Sequence, residues 1–285
     1  MGPFNANEVV RAVRAALAED IGSGDITTLA TVPEHASSSA LLRAREPLVV
    51  AGLMFAEEAF RQLDPALQLT RLVADGQRAA TGETLLRVSG PARPILSAER
   101  VALNFVQRLS GVATLTARYV EAVRGTTARI LDTRKTTPGW RQFEKYAVVC
   151  GGGLNHRFGL YDRVLIKDNH LAALRDAQPN PIAAAVARAR AAAPGLLVEV
   201  EADTLAQAGQ AAEAGADIIL LDNFAPAQLR EAARLIAGRA QTEASGGVNL
   251  STVRGLAETG VDFISVGALT HSAPAVDLGL DFVEP

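Results

Sequence analysis

The sequence predicts an α/β protein in which a small mixed unit with an antiparallel sheet precedes an incomplete α/β barrel. Two observations carry the barrel. Short apolar runs recur in the second half, at 128–131, 164–166, 196–200, 217–221, 240–243 and 263–266, each bounded by turn or charged residues. Alanine-rich stretches of helical pattern lie between the later ones, such as PIAAAVARARAAAP and APAQLREAARLIAG. Alternation of strand and helix builds a parallel sheet through right-handed crossovers. The units repeat at near-constant spacing, marked by Glu201, Asp222, Ser245 and Gly267, and the chain is short for an eight-unit barrel.

Taken in order, residues 7–19 place Val9, Val10, Val13, Ala16 and Leu17 on one face of a helix, which the turn-rich EDIGSGDITT ends. Between 36 and 90, alternating segments surround a helix-like LMFAEEAFRQL, as in an α+β unit with an antiparallel sheet. Pro91 and Pro94 punctuate the chain, and a long helix over 95–124 is expected to break near Gly111. Domain limits follow at 1–112 for the first unit and 113–270 for the barrel, with 271–285 as a C-terminal tail.

Composition narrows the function. Hydrophobic residues make up 48% of the 285, enough for a sizeable core. The net charge of -3 gives the whole molecule no attraction to nucleic acid or to an anionic membrane, so any anion must be held by a local cluster of cations. No apolar run is long enough to span a bilayer. The opening MGPFNANEVV lacks the pattern of a secretory signal, and Ala6 stands where a myristoylation signal has Ser or Thr. Cys150 is the only cysteine, so no intramolecular disulfide forms and a reducing, cytoplasmic location is expected.

Polar residues cluster at the predicted C-terminal ends of strands, where barrels build their catalytic face: Arg134 and Lys135, Lys167, Glu199 and Glu201, Asp222, then Ser245-Gly246-Gly247 and Gly267. Among 28 Lys+Arg only Lys135, Lys145 and Lys167 are lysines, so a compact ammonium is expected to matter at Lys135 and Lys167. Lys145 is expected on a solvated basic surface and to be dispensable. Glu201 and Asp222, at matching positions of adjacent units, suit magnesium, which takes one or two carboxylates plus substrate phosphate oxygens; a structural ion-pair network is the alternative. Glu199 shares the parity of Glu201, and buried in the barrel it would need a cationic partner. His156, His170 and His271 lie in or near the same face. The small residues of ASGGV and SVGAL end two late strands before helical segments and would let backbone N–H groups approach a phosphate.

Together these stretches resemble the quinolinate phosphoribosyltransferases, also called carboxylating nicotinate-nucleotide pyrophosphorylases. The matching motifs are EDIGSGDITT, SAERVALNFVQRLSGVAT, LDTRKTTPGWRQFEKYAV, GGGLNHRFGLYD, IKDNH, VEVEADT, ILLDNF, EASGGV and SVGALTHS, and they span nearly the whole chain in order. The resemblance implies an N-terminal α/β sandwich, a seven-stranded α/β barrel and a tail that returns to the first domain. It implies magnesium-dependent transfer of phosphoribose from phosphoribosyl pyrophosphate to quinolinate, giving nicotinate mononucleotide, pyrophosphate and carbon dioxide in de novo NAD synthesis. Carried over by position, Thr133, Arg134, His156, Arg157 and Lys167 would bind quinolinate, with Arg100 reaching in from the partner subunit of a homodimer. Lys135, Glu201 and Asp222 would bind phosphoribosyl pyrophosphate and Mg2+. Ser245, Gly246, Gly247, Gly267 and His271 would hold its 5′-phosphate side. Thr137 and Trp140 stand where the family more often has other residues. Three rivals remain at this stage: an aldolase using Lys167 as a Schiff base, a phosphoribosyltransferase for another carboxylated ring, and a phosphoribosyl pyrophosphate sensor.

Overall fold

The computed structural model describes residues 5–283; residues 1–4, which include the N-terminal Met-Gly, and residues 284–285 lie outside the described residues. The chain separates into two compact units, one of residues 1–115, 142–152 and 273–285, the other of 116–141 and 153–272.

The first unit opens with α1 (Ala6–Ile21), whose apolar face buries Val9, Val13 and Leu17 and whose first turn is capped by the Asn5 side chain. The stretch expected to be only a turn also starts a short helix, α2 (Ile26–Thr31), because the Asp25 carboxylate accepts the Thr28 N–H at 2.9 Å. There follow β1 (Ser37–Ala44), β2 (Leu48–Val49), α3 (Leu53–Leu63), β3 (Gln68–Arg71), β4 (Arg78–Ala79), β5 (Thr84–Pro91) and α4 (Ala92–Ala122). β1 pairs antiparallel with β5 and, on its other edge, with β12 (Leu278–Val283) from the C-terminus; β3 completes a sheet of order β12-β1-β5-β3, while β2 and β4 form a separate pair. Phe55 stacks on Phe105 with ring centroids 4.8 Å apart and meets Phe143 edge-on at 4.9 Å, which ties α3 and α4 to α5 (Arg141–Cys150).

Two expectations fail in this unit. α4 is not broken at Gly111 but runs through it. The glycine answers a different need: a Cβ there would stand 2.0 Å from the Pro274 carbonyl oxygen, so the tail passes directly against the helix backbone. Lys145 is not on a solvated surface but wholly buried, with Phe143, Glu144, Ala147 and Val148, because α5 is enclosed around most of its circumference. Beside it Glu144, also wholly buried, accepts Arg108 Nη2 at 2.6 Å, while Arg108 Nη1 donates to the Ala273 carbonyl.

The second unit holds β6 (Arg129–Leu131), β7 (Val164–Ile166), α6 (Asp168–Ala172), α7 (Pro181–Ala192), β8 (Val198–Ala202), α8 (Leu205–Glu213), β9 (Ile218–Asp222), α9 (Pro226–Ile236), β10 (Gln241–Ser245), α10 (Val253–Ala257), β11 (Phe263–Ser265) and α11 (Ala268–His271). Its six parallel strands run in the order β6-β11-β10-β9-β8-β7, and Leu154 adds a one-residue parallel bridge to Leu131 as a seventh position. The strands obey a period of two. Val198, Val200 and Ala202 of β8 and Ile219 and Leu221 of β9 are wholly buried on one face, while Glu199, Glu201, Leu220 and Asp222 take the other. A residue preceding β7 and one following β6, at opposite ends of the strand order, both reach Glu199 of β8. Only a sheet curled on itself permits that, so the unit is an incomplete α/β barrel.

Two substitutions check this packing. Gly111→Ala is expected to destabilise the protein by ~1–3 kcal/mol through overpacking against the tail, read as a lower denaturation midpoint. Lys145→Ala, which removes a long buried side chain, is expected to cost at least ~2 kcal/mol in the same measurement.

Candidate active site

A cavity of about 290 Å³ opens at the C-terminal ends of the barrel strands, lined by residues from all six of them or the loops that follow. Thr133, Arg134 and Lys135 follow β6, Lys167 follows β7, and Glu201, Asp222, Ser245 and Ser265 end β8, β9, β10 and β11. His156 and Arg157 enter from the loop after Leu154, and Glu243 from deeper in β10. Arg100 lies elsewhere, exposed on α4 of the first unit.

The cationic side is held by a buried framework. Asp132, at the end of β6, accepts the His156 backbone N–H at 2.8 Å. His156 Nδ1 accepts the Arg157 N–H at 2.7 Å, which leaves the ring proton on Nε2, 3.1 Å from Glu199 Oε2. Both ring nitrogens thus engage the protein itself, and His156 lines the cavity beside Arg157. Glu199 has the cationic partner its burial demands: Arg163 Nη1 lies 3.1 Å away. Burial alone would raise its pKa, but the His156 and Arg163 contacts hold it below the ordinary carboxylate range. Arg141 bonds Thr136 Oγ1 and the Phe158 carbonyl, joining the two loops that carry Arg134 and Arg157. Burial and the neighbouring Arg134 guanidinium push the Arg157 pKa down, as expected where positive charges crowd without enough counter-charge.

One feature of hydrogen bonding singles the cavity out. Among the described residues, the buried side-chain polar atoms without a hydrogen-bond partner are Arg134 Nε, Arg157 Nε and both carboxylate oxygens of Glu243. All three residues line this cavity. Natural proteins rarely leave such groups unpaired, so the two guanidinium groups suit a ligand that supplies acceptors.

The carboxylate side consists of Glu201, Asp203 and Asp222, whose oxygens lie within 4.8 Å of one another. Lys167 Nζ reaches Glu201 at 3.2 Å. Burial first, and Asp222 nearby, raise the Glu201 pKa against the pull of Lys167. An all-oxygen donor set of this kind suits a hard divalent cation. Asp203 carries no signal in the sequence beyond standing two residues after Glu201 on the VEVEADT run; it comes into reach because the chain turns out of β8 there.

The glycine-rich ends also converge, in part by another route than expected. Gly246 and Gly247 do not lead straight into a helix: both have positive φ, and α10 begins only at Val253. A Cβ at Gly246 would stand 2.0 Å from Asn223 Oδ1, so the loops after β9 and β10 interlock and admit only glycine there. Gly267 is the residue before α11, and a Cβ on it would meet the Lys135 side chain at 3.1 Å and His271 at 3.2 Å. Lys135, Gly267 and His271 therefore adjoin. His170 turns back to its own helix, its Nδ1 accepting the Lys167 N–H.

Comparison with known proteins agrees with this geometry. Residues 112–281 match the model of the quinolinate phosphoribosyl transferase C-terminal domain, and residues 25–110 that of its N-terminal domain. The chain belongs to the quinolinate phosphoribosyltransferase family. It is 47% identical over 277 residues to the nicotinate-nucleotide pyrophosphorylase (carboxylating) of Mycobacterium leprae (strain TN), covering 94% of this chain and 95% of that one. It is 44% identical over 264 residues to a probable enzyme of the same name from Bacillus subtilis (strain 168), covering 92% and 89%. The solved nicotinate-nucleotide pyrophosphorylase from Francisella tularensis superposes with a TM-score of 0.93 at 41% identity, over 99% of this chain and 98% of that one. No helix among the described residues is long and apolar enough to cross a membrane.

Glu243 provides a check on the electrostatics of the pocket. Burial, then the adjacent Glu199, raises its pKa from 4.5 to about 7. Between those values the native state binds more protons than the unfolded chain, so this group's contribution to stability is full below pH 4.5 and is lost as pH rises towards 7. Glu243→Gln should therefore raise the thermal midpoint relative to wild type at pH 8 and leave the two alike near pH 4.5; an unchanged difference across that range would contradict the burial of an uncompensated acid.

Proposed function

We propose that this chain transfers the phosphoribosyl group of phosphoribosyl pyrophosphate to the ring nitrogen of quinolinate, with decarboxylation to nicotinate mononucleotide. One observation carries the reading beyond family membership: Arg134 and Arg157 line one cavity, and each has a buried Nε without a hydrogen-bond partner. Two guanidinium forks with Lys167 beside them match a planar ring bearing two carboxylates, since arginine meets a carboxylate in bidentate geometry.

In this reading Thr133, Arg134, Arg157 and Lys167 orient the diacid, and His156 fixes Arg157. Lys135, beside Gly267 and His271, holds the anionic sugar phosphate, with Ser245 and the Gly246-Gly247 turn offering a hydroxyl and backbone N–H groups. The ring nitrogen attacks C1 of the ribose while the C1–O bond to pyrophosphate breaks and its electron pair leaves with the pyrophosphate. Lys135 stabilises charge on the departing group, and a nearby carboxylate favours the oxocarbenium character developing on the sugar. The ring is then a pyridinium; the bond to the adjacent carboxylate breaks, carbon dioxide leaves, and a proton takes its place on carbon. Glu201, Asp222 and Asp203 would hold Mg2+, which when bound supplies charge neutralisation for the pyrophosphate.

The reading extends to a cytoplasmic homodimer in which Arg100 acts across the subunit interface. Its support is that Arg100 is an exposed cation on α4, outside the unit that forms the cavity.

Incubation of the protein with quinolinate, phosphoribosyl pyrophosphate and magnesium is expected to release carbon dioxide and form nicotinate mononucleotide; turnover of nicotinate instead would overturn the diacid assignment. Arg134→Ala should lower kcat/KM at least ~100-fold, or about 2.7 kcal/mol of transition-state stabilisation. Chelation of divalent cations should abolish turnover, with recovery on adding magnesium.

A further inference from the structure

Neither the grip on the anions nor the carboxylate cluster accounts for Glu243. It is wholly buried on β10, lines the cavity, and among the described residues has no well-formed hydrogen bond to either oxygen, the Ser265 hydroxyl being the group that bears on it. The groups around it come from every side. Glu199 faces it from β8, His156 from the loop after Leu154, Arg163 from the segment before β7, and Ser265 lines the same cavity from β11. His156 Nε2 lies 3.6 Å from Glu243 Oε1 but 3.1 Å from Glu199 Oε2, so its proton goes to Glu199. Arg163 bonds Glu199 as well. Both cationic donors near Glu243 are therefore engaged by the other carboxylate, which leaves it the Ser265 hydroxyl.

An ionised Glu243 would be a buried anion without a cationic partner of its own, set against a second anion, on the floor of a pocket that takes anions. The protonated acid is instead an O–H donor bordering the cavity. A ligand that enters the cavity can supply its acceptor.

We propose that Glu243 is a substrate-facing specificity residue that, in its protonated form, donates a hydrogen bond to a carboxylate of the bound ring diacid. The proposal rests on the reading of the ligand as quinolinate and deepens it: recognition of the diacid includes one proton held by the protein. Arg134 and Arg157 supply charge, and Glu243 supplies a directional donor where a further cation would have to sit against Glu199. Burial and the Glu199 charge, which raise the affinity of Glu243 for its proton, keep the donor form populated up to neutrality. Once Glu243 ionises, the same group repels the ligand it had bound, so diacid affinity must fall with rising pH.

Direct titration of the full-length protein with quinolinate from pH 6.5 to 8.5 tests this, comparing wild type with Glu243→Gln, whose amide keeps a donor and cannot ionise. The wild-type Kd is expected to rise at least ~10-fold across that range, and the variant's less than ~2-fold. Calorimetry of the wild type at pH 8.5, in two buffers of different ionisation enthalpy, should register uptake of about one proton per quinolinate bound. No uptake, uptake that persists in the variant, or equal pH slopes in the two proteins overturns the assignment of Glu243 alone. A wild type that binds no quinolinate at any pH overturns the functional reading and this assignment with it.

Discussion

Glu199 lies at zero exposure inside the barrel because β8 alternates strictly: Val198, Val200 and Ala202 occupy the outward face and are themselves wholly buried. A carboxylate so placed is tolerated only with partners, since removing an ion from water costs several kcal/mol even after relaxation. The partners are His156 and Arg163, which flank the segment 157–162. Asp132 holds the His156 backbone from β6, and the Asp162 carboxylate accepts the N–H groups of Phe158 and Gly159 within the loop. With its neighbours pinned in this way, Arg157 is committed to the cavity, although Arg134 already crowds it with like charge. A structural ion pair at the floor thus determines where the Arg157 guanidinium stands at the mouth.

The mouth divides its charge. Two guanidinium groups stand on one side and three carboxylates on the other, with Lys167 between them, 3.2 Å from Glu201. The Lys167 side chain is 45% exposed, and an ion pair with that much water contributes little to stability. It can be exchanged for a ligand carboxylate at small cost. The choice of lysine over arginine in a chain so rich in arginine fits that role, because a single ammonium on a flexible stem changes partners without breaking a bidentate fork.

Much of this was legible beforehand. All six barrel strands coincide with apolar runs, and period-two parity brought Glu199 and Glu201 to one face and aligned Asp222, Ser245 and Lys167 around one mouth. What escaped depends on contacts between distant segments. Lys145 looked solvated because α5 has an ordinary amphipathic pattern, and nothing in that pattern shows a helix enclosed nearly all round. Gly111 read as a break because the carbonyl it accommodates belongs to Pro274, at the other end of the chain. Asp132, Arg141 and Arg163 passed as ordinary charges until their partners were known. Glu243 was hidden inside an apparent apolar strand, TEA, where a single acid is easily taken for a strand-end residue.

The period of two also separates what stabilises the barrel from what it does. Ile219, Leu221, Ala244, Ile264 and Val266, all 2% exposed or less, belong to the apolar layer that removes the sheet from water. The inward layer carries Glu199, Glu201, Asp222, Glu243, Ser245 and Ser265, and it includes buried polar atoms without partners. Each such atom costs on the order of 1–3 kcal/mol of desolvation, which the apolar layer must outweigh. A ligand that pairs them recovers this free energy on binding, so these atoms are a source of affinity for it. A barrel with the same outward layer and a fully satisfied interior would be more stable and would have less reason to bind an anion.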